Sequence, residues 1–199
     1  GMTLSAISTF LDVPKSSLSS TLKALTDQGV LSRKGTLYFL GGEAYALAST
    51  ILKGRTIRQI ARPHLEETME ATGETVLLAQ VDPDQRYMSY IDSVESDKSI
   101  RFSVPIAARR PLYGSAAGRL FLAHLSEVHR QAYYDDVNMQ PFTEDTVINV
   151  EKLEAVLQSV REDGVSITLG NYSADAAGFA APVYNADGVV IAAVTIGVP

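Results

Sequence analysis

The chain has 199 residues, 46% hydrophobic and 20% charged, enough for one medium domain or a small and a larger one. It has no cysteine, which excludes disulfides, thiolate metal sites and cysteine nucleophiles. No apolar run approaches the roughly 20 residues of a membrane-spanning helix, and no signal peptide precedes the first expected helix, so a cytoplasmic protein without membrane contact is expected.

Gly1-Met2 reads as a cloning remnant and a start residue. Leu4, Ile7, Phe10 and Leu11 then recur at helical spacing and predict a short amphipathic helix. Asp12-Val13-Pro14 breaks it, because proline cannot continue a helix but suits the first turn of the next. A second helix follows over 15–25 with Leu18, Leu22 and Leu25 inward, and Gly29 supplies a left-handed cap at its end. Residues 30–39 read as a hairpin around a Lys34-Gly35 turn, with Arg33 and Lys34 at its tip. Two short helices, a tight turn and a basic hairpin make most of a winged helix-turn-helix over 1–41, a geometry that seats a helix in the major groove.

Short amphipathic helix pairs also occur in folds that never touch nucleic acid, so the polar face carries the reading. Lys15, Ser16, Ser17, Ser19, Ser20 and Lys23 offer hydroxyls and two cations, with no carboxylate between Asp12 and Asp27. A merely solvated face would mix both signs. With no Arg, Asn or Gln on this helix, phosphate and hydroxyl contacts are expected to outweigh bidentate base contacts. The net charge of −6 is unevenly spread. Residues 1–58 hold seven Lys or Arg against three acids, leaving −10 for the rest. A basic front and an acidic rear suit a DNA-reading head on a body that stays off DNA.

Beyond Gly41-Gly42 an Ala-rich helix is expected over 43–53, then a second over about 56–72 with Ile57, Ile60, Ala61, Leu65 and Met69 on one buried stripe. Pro63 inside it predicts a kink or a restart. Residues 42–58 read as a connector and 59–199 as a second domain. That domain opens with strands at 75–81, 86–94 and 99–104. Residues 112–124 are expected to begin as a loop and become a helix, and helices over 127–134 and 149–163 follow. Strands at 165–169, 179–184 and 189–196 complete it, the last two joined by a turn at 185–188. The order predicts an α+β domain, an antiparallel sheet with helices on one side.

Catalytic chemistry finds no foothold. His124 and His129 are five residues apart, one too many for a single-face metal pair. Ser115 lacks the Gly-x-Ser-x-Gly spacing, Asp82 and Asp84 read as turn chemistry, and no phosphate or dinucleotide fingerprint occurs. No catalytic residue, metal or cofactor is expected.

Eight stretches in order carry a resemblance. They are Val13-Pro-Lys-Ser-Ser-Leu18, Ala61-Arg-Pro-His-Leu-Glu-Glu67, Thr72-Gly-Glu-Thr-Val76, Val104-Pro105, Pro111-Leu112, Gly114-Ser-Ala-Ala-Gly118, Ala180-Ala-Pro-Val-Tyr-Asn-Ala-Asp-Gly188 and Ala193-Val-Thr-Ile-Gly-Val-Pro199. Together they resemble the IclR family of bacterial transcriptional regulators over nearly the whole chain. The resemblance implies a winged helix-turn-helix followed by a GAF-like effector domain, and a homodimer or homotetramer bound to double-stranded operator DNA. It also implies control by a small organic acid. The family has a helix before the one at Leu4 and another after the last strand, and the head is therefore expected to be truncated.

By residue match, the family's effector positions fall on Ala116, Ala117, Thr168, Gly178, Thr195 and Gly197. Ser115 to Gly118 opens a helix with small side chains, where backbone N–H groups favour a carboxylate, and Thr195 adds a hydroxyl. Plain close packing is the other reading of those small residues. Gly178 and Gly197 stand where the family often has a polar or thiol side chain and a serine. A roomier, less acidic pocket is therefore expected, with Tyr172 or Phe179 as an aromatic wall and a ligand larger than a two- or three-carbon acid. Ser19-Ser20-Thr21 stands where relatives often carry a bulkier polar or basic pair, which leaves open a sensor or interaction module that does not bind DNA.

Overall fold

A computed structural model describes residues 1–54 and 56–199, with the side chains of 51–54 left aside. The chain divides into two compact units, Gly1–Ile57 and Arg58–Pro199.

The first unit runs β1 (Met2–Thr3), α1 (Leu4–Leu11), α2 (Lys15–Asp27), β2 (Leu31–Lys34), β3 (Leu37–Leu40) and α3 (Gly42–Gly54). Met2 pairs with Tyr38, making a three-stranded sheet in the order β1-β3-β2. Thr3 caps α1, its Oγ1 accepting the Ala6 N–H at 3.2 Å. Asp12 takes a left-handed φ of 52°, and the turn closes when the Val13 N–H donates to Ser8 O and Ser8 Oγ donates to Val13 O at 2.7 Å. Leu18 and Leu22 bury the inner face of α2. The hairpin turns on Gly35 and Thr36 rather than Lys34-Gly35, since Lys34 pairs with Leu37 and Gly35 takes the positive φ that the turn needs. Gly41 is a close approach: a Cβ there would lie 2.1 Å from Gly29 O.

The second unit contains α4 (Ile57–Thr72, whose first residue closes the first unit), β4 (Thr75–Val81), β5 (Tyr87–Val94), β6 (Arg110–Pro111), α5 (Ala116–His124), α6 (Glu127–Asp136), α7 (Val150–Asp163), β7 (Ser166–Leu169), β8 (Ala177–Tyr184) and β9 (Val190–Val198). Its six strands form one antiparallel sheet in the order β6-β5-β4-β9-β8-β7. This is the α+β class expected.

Central β4 is buried on both faces. Leu77 and Ala79 join the core cluster that includes Ala117, Leu120, Leu153 and Leu157 of α5 and α7. Val76 and Leu78 point the other way and are equally buried. Asp92 stands directly opposite Leu78 and so shares that face, where Arg62 of α4 donates to its Oδ1 at 3.1 Å and to Ser93 O at 2.9 Å. Helix α4 therefore lies on the second face, and helices are not confined to one side as expected. It also continues through Pro63 unbroken.

The expected strand at 99–104 does not form. That segment bonds through side chains: Glu95 accepts from Arg101 Nε at 3.0 Å and from Ser103 Oγ at 2.9 Å. The strand beside β5 is instead the two-residue β6.

Candidate functional site

The sheet register sets Thr168, Gly178 and Gly197 side by side on β7, β8 and β9. All three line a cavity roofed by Ser115 and Ala116 at the start of α5, with Thr195 beside them in its wall. Ser115 Oγ caps the helix by accepting the Gly118 N–H at 3.2 Å. A Cβ on Gly178 would stand 3.0 Å from Thr168 Oγ1 and 3.3 Å from Ala116 Cβ, so its absence lets the helix start sit close to the sheet.

Of the six residues taken from the resemblance, five line this cavity. Ala117 does not. It is fully buried in the apolar core among Leu120, Leu153 and Leu157, because its place on α5 turns it away from Gly178. Phe179 is no wall either: adjacent to Gly178 on β8, it points to the other face of the sheet and stays exposed. Tyr172 does line the cavity.

The extra room expected from the glycines is taken. A Cβ on Gly197 would lie 2.2 Å from Phe102 Cδ1, so the ring of Phe102 fills the niche that Gly197 leaves. The cavity that remains is small, with a volume of about 30 Å³.

Arg110, Tyr90 and Phe102 are the residues that sequence reasoning missed. The Arg110 guanidinium lies 4.6 Å from the Tyr172 ring centroid and 5.7 Å from that of Tyr90. Its Nε is buried without a hydrogen-bond partner, and no carboxylate lines the cavity. Burial pushes the Tyr90 phenol up to about 12 although Arg110 pulls the other way, so Tyr90 stays neutral. Thr195 Oγ1 is buried toward that phenol without a hydrogen bond of ordinary geometry. Tyr172 in turn packs on Phe142 at 4.4 Å with the rings tilted by 37°, and Phe142 stacks on Tyr113 at 5.5 Å. The doublet Arg109-Arg110 before Pro111 was the available signal, but periodicity cannot show which arginine turns inward. Arg109 goes out, to Asp82 at 2.6 Å and Asp84 at 3.3 Å.

In the first unit Lys15, Ser16, Ser17, Ser19, Ser20 and Lys23 are all exposed along α2, and Arg33 and Lys34 are exposed on the hairpin. An open groove of about 500 Å³ brings Ser19 of α2 together with Arg33, Thr36 and Tyr38 of the hairpin. Arg33 is braced there, its Nε donating to Gly35 O at 2.8 Å and its guanidinium 5.5 Å from the Tyr38 ring centroid. Ser20 Oγ donates to Ser17 O at 2.9 Å.

Two histidines serve local structure. His129 Nδ1 meets Ser126 Oγ at 2.8 Å at the start of α6, and His124 Nδ1 meets Leu120 O at 2.9 Å. Among the described residues no group of three His, Asp or Glu could hold a metal ion, and no helix is long and apolar enough to cross a membrane.

The family model for the C-terminal domain of the bacterial transcriptional regulator IclR matches residues 49–199. The chain belongs to the IclR family. It is 28% identical to the transcriptional repressor IclR of Escherichia coli K12 over 189 residues, covering 94% of this chain and 69% of the repressor. The crystal structure of Thermotoga maritima IclR superposes with a TM-score of 0.68 at 27% identity, over 98% of this chain and 79% of that one. An IclR homologue from Microbacterium hydrocarbonoxydans, solved with 4-hydroxybenzoate, gives a TM-score of 0.67 at 25% identity, over 100% of this chain and 81% of that one. The antiparallel sheet with α5 and α7 is thus the family's GAF-like effector domain. These relatives are transcriptional regulators, and so is this protein rather than an enzyme.

Proposed function

We propose that residues 1–41 grip double-stranded operator DNA and that a small carboxylated metabolite in the sheet cavity controls the grip, with 42–58 joining the two. On this reading Lys15, Lys23, Arg33 and Lys34 meet phosphates while Ser16, Ser17 and Ser19 supply short hydroxyl contacts, and Ser20, its proton held by Ser17 O, adds at most an acceptor. The effector sits against Ala116, Thr168, Gly178, Thr195 and Gly197.

The observation that carries the carboxylate is Arg110. A half-buried guanidinium whose Nε is buried without a hydrogen-bond partner, with no acid in the cavity wall, suits an anionic ligand, since a polar group taken from water is costly until it is paired. The first turn of α5 adds N–H groups and the positive end of a helix. The Microbacterium homologue, solved with 4-hydroxybenzoate, supports the same ligand class. Ligand and DNA affect each other only as far as the acid binds the operator-competent and incompetent arrangements differently. The reading places the protein in the cytoplasm as a homodimer or homotetramer, two α2 helices meeting half-sites about one helical turn, or a multiple of it, apart.

Fluorescence anisotropy on the gene's own upstream DNA at several salt concentrations, with and without candidate acids, tests both halves. Specific binding is expected to weaken steeply with salt, and Lys15→Ala with Arg33→Ala to flatten that dependence. Calorimetry is expected to find acid binding that Arg110→Gln abolishes. Acid binding with no DNA binding at any salt would favour the sensor module instead.

A further inference from the structure

The segment between β5 and β6 has no regular structure, yet it seats one ring in the cavity. Phe102 lines the cavity and Val104 packs against the core, whereas Ile100 is 76% exposed and Ile106 is also exposed, so the apolar residues of this loop divide between interior and solvent. The ring is seated where any side chain at Gly197 would project, at 2.2 to 2.8 Å from an ideal Cβ. Its two neighbours are fastened to one carboxylate, Arg101 Nε to Glu95 Oε2 at 3.0 Å and Ser103 Oγ to Glu95 Oε1 at 2.9 Å. These hydrogen bonds, Arg101 first and Ser103 second, hold the Glu95 carboxyl below the ordinary glutamate range. A glycine niche, a ring that fits it and a carboxylate holding both flanks are three features of one arrangement.

We propose that Phe102 is the size filter of the effector cavity. With its ring in the Gly197 niche, the cavity accepts a short carboxylate on Arg110 and refuses an aryl carboxylate. An aromatic acid enters only when the ring has left. This rests on the effector reading above and goes beyond it by naming the residue that sets ligand size. The chemistry of the exchange is direct: the ring of benzoate has the shape of the phenyl group that Phe102→Ala removes, and an apolar void of that kind binds benzene-like molecules.

The test is calorimetry of the full chain with pyruvate and with benzoate. Wild-type protein is expected to bind pyruvate and to bind benzoate at least about tenfold more weakly. Phe102→Ala is expected to tighten benzoate by about tenfold or more, since even one methylene in an apolar pocket is worth about 10- to 200-fold. The ratio of its benzoate affinity to its pyruvate affinity is therefore expected to rise by about tenfold or more, which is the readout of the filter. Phe102→Leu, which keeps most of the apolar bulk and guards against misfolding, is expected to move the same way by less. Adding Arg110→Gln to Phe102→Ala is expected to remove benzoate binding again, which ties the gained ligand to this cavity. Wild-type binding of benzoate as tight as pyruvate, or no gain in either Phe102 variant, overturns the filter. If no acid binds the wild type or any variant, the effector reading itself fails and the filter falls with it.

Discussion

The hydroxyl oxygen of Tyr133 accepts the backbone N–H of Leu112 at 3.0 Å from a side chain that is 3% exposed. The same oxygen takes the Tyr113 N–H at 3.3 Å. Both donors lie between edge strand β6 and helix α5, the stretch that fixes Arg110 at one end and Ser115 at the other. Burial raises the phenol well above its ordinary value, so it stays neutral. Tyr133→Phe keeps the ring and leaves two buried N–H groups without an acceptor, at an expected cost of about 1–3 kcal/mol. Urea unfolding followed by circular dichroism checks this, and a midpoint equal to wild type would mean that the hydroxyl bears no weight.

Gly118 makes a prediction whose sign is the test. Glycine to alanine inside a helix ordinarily stabilises by about 1 kcal/mol. Here an added Cβ would meet Leu112 O at 2.2 Å and Leu112 Cα at 2.7 Å, backbone atoms that cannot turn aside. Gly118→Ala is therefore expected to destabilise by about 3 kcal/mol, the upper end of overpacking. A melting temperature raised by the substitution would show that α5 can lift off the Leu112 backbone.

Elements with strong local signals were legible in the sequence and others were not, for physical reasons. Helices α2 and α7 carry apolar residues at helical spacing between a breaker and a glycine, and they appear within a residue or two of their expected bounds. Strands β4, β8 and β9 read equally well from apolar runs and turn residues. Segment 99–104 alternates like a strand but finds no partner, since Glu95 draws its side chains instead. Of the cavity, the row Thr168, Gly178 and Gly197 depended on the resemblance. That Arg110 turns in, and that Phe102 crosses from a distant loop to fill the Gly197 niche, are tertiary facts with no local pattern to announce them.

Glu154 gives the stability of the helical layer a pH dependence. Its Oε1 accepts from Tyr134 Oη at 2.7 Å and from Arg130 Nε at 2.9 Å, with Arg161 at 3.9 Å from Oε2. Burial pushes the carboxyl up, but the hydrogen bonds from Tyr134 and Arg130 win and hold it below the ordinary glutamate range. A carboxyl lowered in the folded state stabilises fully above the pH where an unfolded glutamate titrates. That contribution is lost as pH falls through the lower folded value. The side chain is one-third exposed, so solvent screening limits the effect to about 0.5–1 kcal/mol. Glu154→Gln is expected to cost that much at pH 7 and nothing once the pH lies below the folded-state value. Parallel urea titrations stepped downward from pH 7 should show the gap narrowing as the pH falls, and a gap that does not narrow would assign the loss to packing.

Neighbouring serines on α2 separate a free hydroxyl from an occupied one. Ser20 Oγ already donates to Ser17 O at 2.9 Å, so its proton is committed to its own helix. Ser19 lines the open groove with Arg33. If operator contacts run along this face, Ser19→Ala removes a donor that the helix does not need, at about 1 kcal/mol, or about fivefold in affinity. Ser20→Ala leaves a surface acceptor to water and is expected to change affinity by less than about threefold. Neither substitution removes a cation, so both should leave the salt dependence of binding at its wild-type slope. Anisotropy titrations of the two variants across one salt series decide the matter: equal losses, or a greater loss for Ser20, would mean that DNA meets α2 along a different line.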